Sequence, residues 1–294
     1  MPAFDSTGPA YFVPGSQGND MKRIRAVFLD IDGTLMSIRR HAIPESARAA
    51  VTAARASGVL IFLCTSRARQ FLTNVGGIGY DGLVCLTGAH CTDAAGRDIH
   101  CEQMHWRDIL QSVRYVQRAG LPYIALAPDR IFAEQPDRPE VMHALAVGGL
   151  RPQDVAGGFS LFDDFRDERP DDEARVKAMN ILQVTGFFPS GPEERAFMAM
   201  MPHSHAQRWT EDFVDIVSDT VDKALGMEVM GRHFGFGLDE TMAVGDGAND
   251  LPMLRRAAVG VAMGNAPDEV KRHVGFVTSD VDEDGLARAL ERFL

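Results

Sequence analysis

The chain has 294 residues, 45% hydrophobic and 24% charged, with a formal net charge of −11. This length predicts about two domains, and the composition is that of an ordinary globular protein. The acidic balance excludes a nucleic-acid partner, which would need patches of Lys and Arg, and no run reaches the ~18 apolar residues that span a bilayer.

Residues 1–20 are rich in Gly, Pro and Ser and read as a flexible tail. They lack the basic start and apolar stretch of a secretory signal. The four cysteines form no C-x-x-C pair, so a cytoplasmic, reduced protein is expected. Cys91 and Cys101 flank a hairpin turn near Ala95-Gly96 and could face each other across it, where a reduced pair is favoured over a disulfide.

The first strand is Ala26-Val27-Phe28-Leu29, a continuous apolar run of the kind buried in a parallel sheet. Pro44 to Ser57 predicts a helix with Ala47, Ala50, Val51 and Ala54 on one face, ended by Gly58. Val59 to Cys64 is a second buried strand, followed by Thr65-Ser66-Arg67. A short helix from Gln70 to Val75 and a third strand, Leu83 to Leu86, complete a strand–helix alternation. From 89 to 211 the texture changes to short, hairpin-like strands. Tyr123–Ala127, Arg130–Ala133, Ala178–Val184 and Phe213–Val217 are read as strands, with a Met-rich helix from Glu193 to Met201 whose methionines fill a core. The acidic stretch Asp163–Glu173 is read as a solvated loop or helix face. The first texture returns with strands Thr241–Gly245, Ala258–Ala262 and Gly275–Thr278, a helix through Leu254 and Arg256, and a closing helix Asp284–Phe293.

The fold expected is α/β: a Rossmann-like, doubly wound parallel sheet with an inserted α+β domain. Residues 21–88 and 212–294 form the core and 89–211 the insertion. In such sheets ligands bind at the carboxyl ends of the strands. Those ends carry Asp30 and Asp32 after one strand, Thr65 after another, and Asp246 with Asp250 after a third. Gly33 allows the backbone to turn sharply behind the first pair. One acid of that pair suits a nucleophile, and the other suits proton transfer. Four carboxylates in one crevice repel one another and take up protons unless a cation intervenes. Short oxygen ligands without His or Cys nearby suit a hard ion, and Mg²⁺ is the usual one beside phosphate. Lys223 supplies a local positive charge.

Several patterns fail on context. Gly77-Ile78-Gly79-Tyr80-Asp81-Gly82 has dinucleotide-fingerprint spacing but precedes a strand and opens no helix. The Asp30 segment has Thr34 and Leu35 where a calcium loop needs an acid or amide and a glycine. His203-Ser204-His205 is read as inserted-domain surface or a substrate contact in preference to a metal site.

Asp30-Ile31-Asp32-Gly33-Thr34-Leu35, Thr65, Lys223 and Gly245-Asp246-Gly247-Ala248-Asn249-Asp250, in this order, resemble the four motifs of the haloacid dehalogenase superfamily, in its Cof-type branch with an α/β (type IIB) cap. The resemblance covers nearly everything after Met21, and Met263-Gly264-Asn265-Ala266 with Lys271 is similar to a further segment of that branch. It implies a Mg²⁺-dependent phosphatase acting on a small phosphorylated metabolite, such as a sugar phosphate or phosphorylated cofactor. Asp30 is then the nucleophile that becomes an aspartyl phosphate, and Asp32 the acid and base. Asp30, Asp246, Asp250 and the main-chain carbonyl of Asp32 hold the metal. Gly33, Thr65, Ser66, Lys223 and Asn249 bind the phosphoryl group. Residues 89–211 are the cap that sets specificity. Ser66 stands where the branch usually has glycine, and Thr87 where it usually has asparagine. A phosphotransferase or phosphomutase shares the chemistry up to the aspartyl phosphate, and a catalytically idle phospho-ligand sensor is the non-enzyme alternative. A dehalogenase has no use for a proton donor such as Asp32. Monomer and homodimer are both compatible with the sequence.

Overall fold

The computed structural model describes residues 23–72, 75–147, 159–208 and 210–294, so the expected tail at 1–20 lies outside the described residues. In chain order the elements are β1 (Ala26–Leu29), α1 (Glu45–Ala56), β2 (Leu60–Cys64), β3 (Gly82–Cys85), β4 (His90–Asp93), β5 (Asp98–Cys101), α2 (Trp106–Ala119), β6 (Tyr123–Leu126), β7 (Ile131–Glu134) and α3 (Pro139–Val147). Next come β8 (Ser160–Leu161), α4 (Asp172–Met179), β9 (Gln183–Gly186), α5 (Pro192–Met198), β10 (Ser204–Gln207), β11 (Val214–Ser218) and α6 (Lys223–Phe234). The chain ends with β12 (Thr241–Gly245), α7 (Leu251–Arg256), β13 (Val259–Ala262), α8 (Asp268–Lys271), β14 (Phe276–Val277) and α9 (Gly285–Phe293). Among the described residues no helix is long and apolar enough to cross a membrane.

The described residues group into two compact units: those up to Ile61 with Phe236–Leu294, and Phe62–Gly235. In the first, β1, β12, β13 and β14 pair in parallel, with Phe28 opposite Ala243 and Val244 opposite Val261. All of β1 is buried, as its unbroken apolar run requires. The amide of Leu60, which opens β2, donates to the Arg25 carbonyl at 2.9 Å. α1 packs on α9 and buries Ala47, Val51 and Ala54, residues at helical spacing. This is the parallel α/β arrangement that the sequence pattern predicts.

In the second unit β2 pairs in parallel with β3, and β4 and β5 continue antiparallel. α6 lies close against β3: a Cβ on Gly226 would stand 2.2 Å from Val84 Cγ1. A further sheet runs in the order β10-β11-β9-β6-β7-β8, antiparallel except for β7 with β8. Both its faces are covered. Along β6, Tyr123 and Ala125 join one apolar cluster and Ile124 and Leu126 another, the alternation a pleated strand imposes. Met201 is buried in the first cluster and Met198 and Met200 pack against it, as core-filling methionines should.

Some expectations change. The strand placed at Ala178–Val184 is instead the end of α4 followed by β9, because the apolar run there straddles a helix terminus and a strand start. In place of a helix from Gln70 there is one 3₁₀ turn, Arg69–Phe71; residues 73–74 lie outside the described set. The acidic stretch is not wholly solvated. Asp172 is buried and takes hydrogen bonds from Arg114, Arg175 and the Arg169 amide. Cys91 sits opposite His100, and Cys101 opposite His90. The two thiols are therefore diagonal, on opposite faces of the hairpin, and both are free.

Candidate active site

β1 ends at Leu29, and the Asp30 amide continues its ladder by donating to the Val244 carbonyl at 3.0 Å. The chain then folds back: Leu35 N–H reaches the Asp30 carbonyl, Met36 N–H that of Ile31, and Gly33 N–H that of Met36. Gly33 has φ +87°, and a Cβ there would stand 2.2 Å from Asp246 Oδ2. Both the positive φ and the close approach demand glycine. The turn brings the end of β1 against Asp246, which follows β12.

Asp246 is held on both oxygens. Thr34, fully buried, donates its hydroxyl to Oδ1 at 3.1 Å. Asn265, which follows β13, donates Nδ2 to Oδ2 at 3.1 Å and to the Gly33 carbonyl at 2.8 Å. Its own Oδ1 accepts from the Val281 amide at 3.0 Å, which fixes the orientation of the side-chain amide. Asp250 folds back so that Oδ2 accepts from the amides of Asp246 and Gly247 at 2.9 and 2.8 Å. This return passes over Gly245, where a Cβ would lie 2.5 Å from Asp250 Cγ.

As a result Asp30, Asp246 and Asp250 present carboxylate oxygens within 4.8 Å of one another. Asp30 is 7% exposed and Asp250 1%. Negative charges this close and this far from water raise one another's energy unless a cation sits among them. All the donor atoms are hard oxygens, and the hydrogen bonds from Thr34 and Asn265 orient Asp246 as supporting groups orient metal ligands. The residues fit a hard divalent ion such as Mg²⁺. Asp32 is half-buried beside this group, with its backbone bridged to Met36. Asn249 is half-buried on the turn Ala248–Asp250.

The second unit holds the other expected residues. Thr65, buried at the end of β2, donates its amide to the Val84 carbonyl, and its Oγ1 accepts from the Arg67 amide. Ser66 beside it is half-buried. Lys223 is 0% exposed and opens α6, whose N-cap Asp222 accepts from the Leu225 amide at 2.7 Å. The turn after β3 joins these segments. Thr87 N–H donates to the Thr65 carbonyl at 3.0 Å, and a Cβ on Gly88 would stand 2.2 Å from the Asp222 carbonyl oxygen. Cys85 ends β3, but burial pushes its thiol up to about 12. Burial raises the Cys91 thiol as well. Neither is a thiolate at neutral pH.

Thr34 and Asn265 stand in the motif segments quoted above, but sequence reading gave neither of them a role. Asn265 stands directly after a strand that follows Asp246 in chain order, and that position was the available signal.

A haloacid dehalogenase-like hydrolase family model matches residues 27–290. The chain belongs to this family. It is 28% identical to YkrA of Bacillus subtilis over 269 residues, 91% of this chain and 96% of that one. Among solved structures, BT1666 of Bacteroides thetaiotaomicron, described among the phosphatases of the superfamily, superposes with a TM-score of 0.78 at 27% identity. That match covers 96% of this chain and 99% of the other. The subclass IIB sugar phosphatase BT4131 superposes with a TM-score of 0.77 at 30% identity, covering 92% and 98%. The haloacid dehalogenase-like chain is accordingly a phosphoric monoester hydrolase, with the parallel α/β core of these structures.

Proposed function

We propose that the protein is a Mg²⁺-dependent phosphatase that hydrolyses a small phosphorylated metabolite through an aspartyl phosphate on Asp30. The observation that carries this reading is the gathering of Asp30, Asp246 and Asp250 at the ends of adjacent parallel strands. Asp32 lies two residues beyond the first of them. Asp30, Asp246, Asp250 and the main-chain carbonyl of Asp32 hold the metal. When bound, Mg²⁺ neutralises part of the charge of the acids and of the phosphoryl group.

An oxygen of Asp30 attacks phosphorus, and the bond from phosphorus to the leaving oxygen breaks. Asp32 gives that oxygen its proton. Asp32, now ionised, then takes a proton from the water that attacks phosphorus, and the bond to Asp30 breaks with release of phosphate. Thr65, Ser66, Lys223, Asn249 and the Gly33 backbone steady the phosphoryl oxygens as charge shifts. Lys223 suits that task as an ammonium at the start of a helix, where anions are favoured. Residues 89–211 serve as the cap over the core formed by 21–88 and 212–294, exclude bulk water and select the leaving group. A sugar phosphate or phosphorylated cofactor in the cytoplasm is the substrate class, and the sugar phosphatase BT4131 supports the first.

The test uses an aryl phosphate with and without Mg²⁺. Mg²⁺-dependent turnover that disappears in Asp30→Asn is the expected result. Turnover that survives the substitution, or that ignores Mg²⁺, would overturn the reading.

A further inference from the structure

The second unit also carries ligating side chains that phosphate chemistry does not use. His105 immediately precedes α2, Asp108 lies in its first turn, and His203 stands just before β10. Each offers one nitrogen or oxygen atom, and these atoms lie within 4.8 Å of one another. Asp108 is 0% exposed. Its Oδ2 accepts from the His203 amide at 2.9 Å and from the Ser204 hydroxyl at 2.8 Å. These two donors fix the carboxylate and leave Oδ1 to the rings, 3.0 Å from His203 Nδ1 and 3.8 Å from His105 Nδ1.

A helix-end carboxylate that merely tied down the loop before β10 would be satisfied by the His203 amide and the Ser204 hydroxyl. It would leave His105 unexplained. His105 Nδ1 is shut off from solvent and has no hydrogen-bond partner. A buried nitrogen in that condition has lost its water without gaining a partner.

We propose that His105, Asp108 and His203 form a binding site for a borderline divalent transition-metal ion of the Zn²⁺ type, with solvent at the remaining position. Bonds of about 2.0–2.1 Å in a tetrahedral sphere set neighbouring ligand atoms about 3.3–3.4 Å apart. The observed 3.0 and 3.8 Å bracket that spacing. The two rings lie face to face, 3.9 Å between centroids, so one of them turns to aim its nitrogen at the ion. His203, whose side chain is 51% exposed, has room to do so by exchanging its Nδ1 bond to Asp108 for the ion. Its ring proton then resides on Nε2, and Nδ1 becomes the ligand. The amide and hydroxyl on Asp108 Oδ2 are the supporting bonds that such sites use to orient a carboxylate. Imidazole ligands separate this site from the all-oxygen Asp30 cluster, which prefers hard ions. The inference stands independently of the phosphatase reading.

Co²⁺ tests it, as a spectroscopically visible ion with similar ligand preferences. The full chain is stripped with a chelator and titrated with Co²⁺ in excess Mg²⁺, which occupies the oxygen site. The expected result is one Co²⁺ per chain with the intense visible absorption of a four-coordinate, nitrogen-ligated ion. His203→Ala and His105→Ala should each weaken it at least ~10-fold, and Asp246→Asn should retain it. Far-UV circular dichroism checks that the variants fold. His203→Ala, at a half-exposed ring, decides the matter if His105→Ala does not fold. Absence of uptake, or uptake that neither histidine variant changes, would overturn the proposal.

Discussion

In the second unit each buried aspartate discussed above stands among donors of its own, whereas in the first unit three aspartates are gathered beside one another. Asp172 is met by two guanidinium groups and an amide, and Asp108 by an amide, a hydroxyl and an imidazole. Asp30, Asp246 and Asp250 also accept hydrogen bonds or other contacts, but they face one another as well. The contrast separates two uses of a buried carboxylate. Donors around a single acid fix local structure, while several acids aimed at one point concentrate negative charge that a bound cation would offset.

Removing the charge of the proposed nucleophile tests that contrast most severely. Asp30→Asn keeps the shape and removes the charge, and kcat for an aryl phosphate should fall by on the order of 10⁴-fold or more. The melting temperature should not fall, because one fewer negative charge in the cluster relieves repulsion when no metal is bound. A thermal scan without Mg²⁺ checks this second half. If the variant melts well below the parent, these acids are structural, like Asp172.

The opposite behaviour is expected at Asp172. Asp172→Ala leaves the guanidinium of Arg114, a buried residue of α2, without its carboxylate partner on α4. Breaking a buried pair from one side costs about 3–5 kcal/mol. Urea unfolding followed by circular dichroism should register that loss, with aryl-phosphate kcat changed by less than about threefold in the fraction that remains folded. Asn265→Ala should fall between these cases. It removes the bonds to Asp246 Oδ2 and the Gly33 carbonyl, so the Mg²⁺ concentration for half-maximal activity should rise about 10–100-fold. Equal Mg²⁺ curves for parent and variant would show that Asn265 acts only as a structural tie.

The same contrast explains what could be read from sequence. Asp30 and Asp32, and Asp246 and Asp250, are close in the chain and follow apolar runs, so parallel-sheet geometry alone places them at strand ends. Thr34 and Asn265 acquire their roles only when β1, β12 and β13 lie side by side, and Thr34 is 212 residues from its partner. His203 and Asp108 are separated by 95 residues, with no shared motif to connect them. The misplaced strand at Ala178–Val184 has a different cause. Ile181-Leu182 is apolar enough to be strand or helix, and a short buried run does not distinguish the two by periodicity. Acidity likewise could not show that Asp172 is buried, since one of its arginine partners, Arg114, comes from α2.

The smallest effect is expected where the two units turn the chain differently after a strand. Behind β1 the left-handed position is Gly33, which has no Cβ to clash. Behind β3 the positive φ values fall on Leu86 at 48°, Thr87 at 56° and Gly88 at 108°. A β-branched residue in this region is an outlier, and each non-glycine residue there carries about 1–3 kcal/mol of strain. Thr87 also has a compensating bond, since its hydroxyl donates to Gln207 Oε1 at 2.9 Å. Asparagine tolerates the left-handed region, and its amide offers a donor in place of the hydroxyl. Thr87→Asn should therefore stabilise the fold by about 1 kcal/mol. Thr87→Ser, which keeps the hydroxyl and drops the branch, should also stabilise it by a smaller amount. If both variants unfold at lower urea than the parent, the Gln207 bond outweighs the strain, and the turn after β3 is held by that contact.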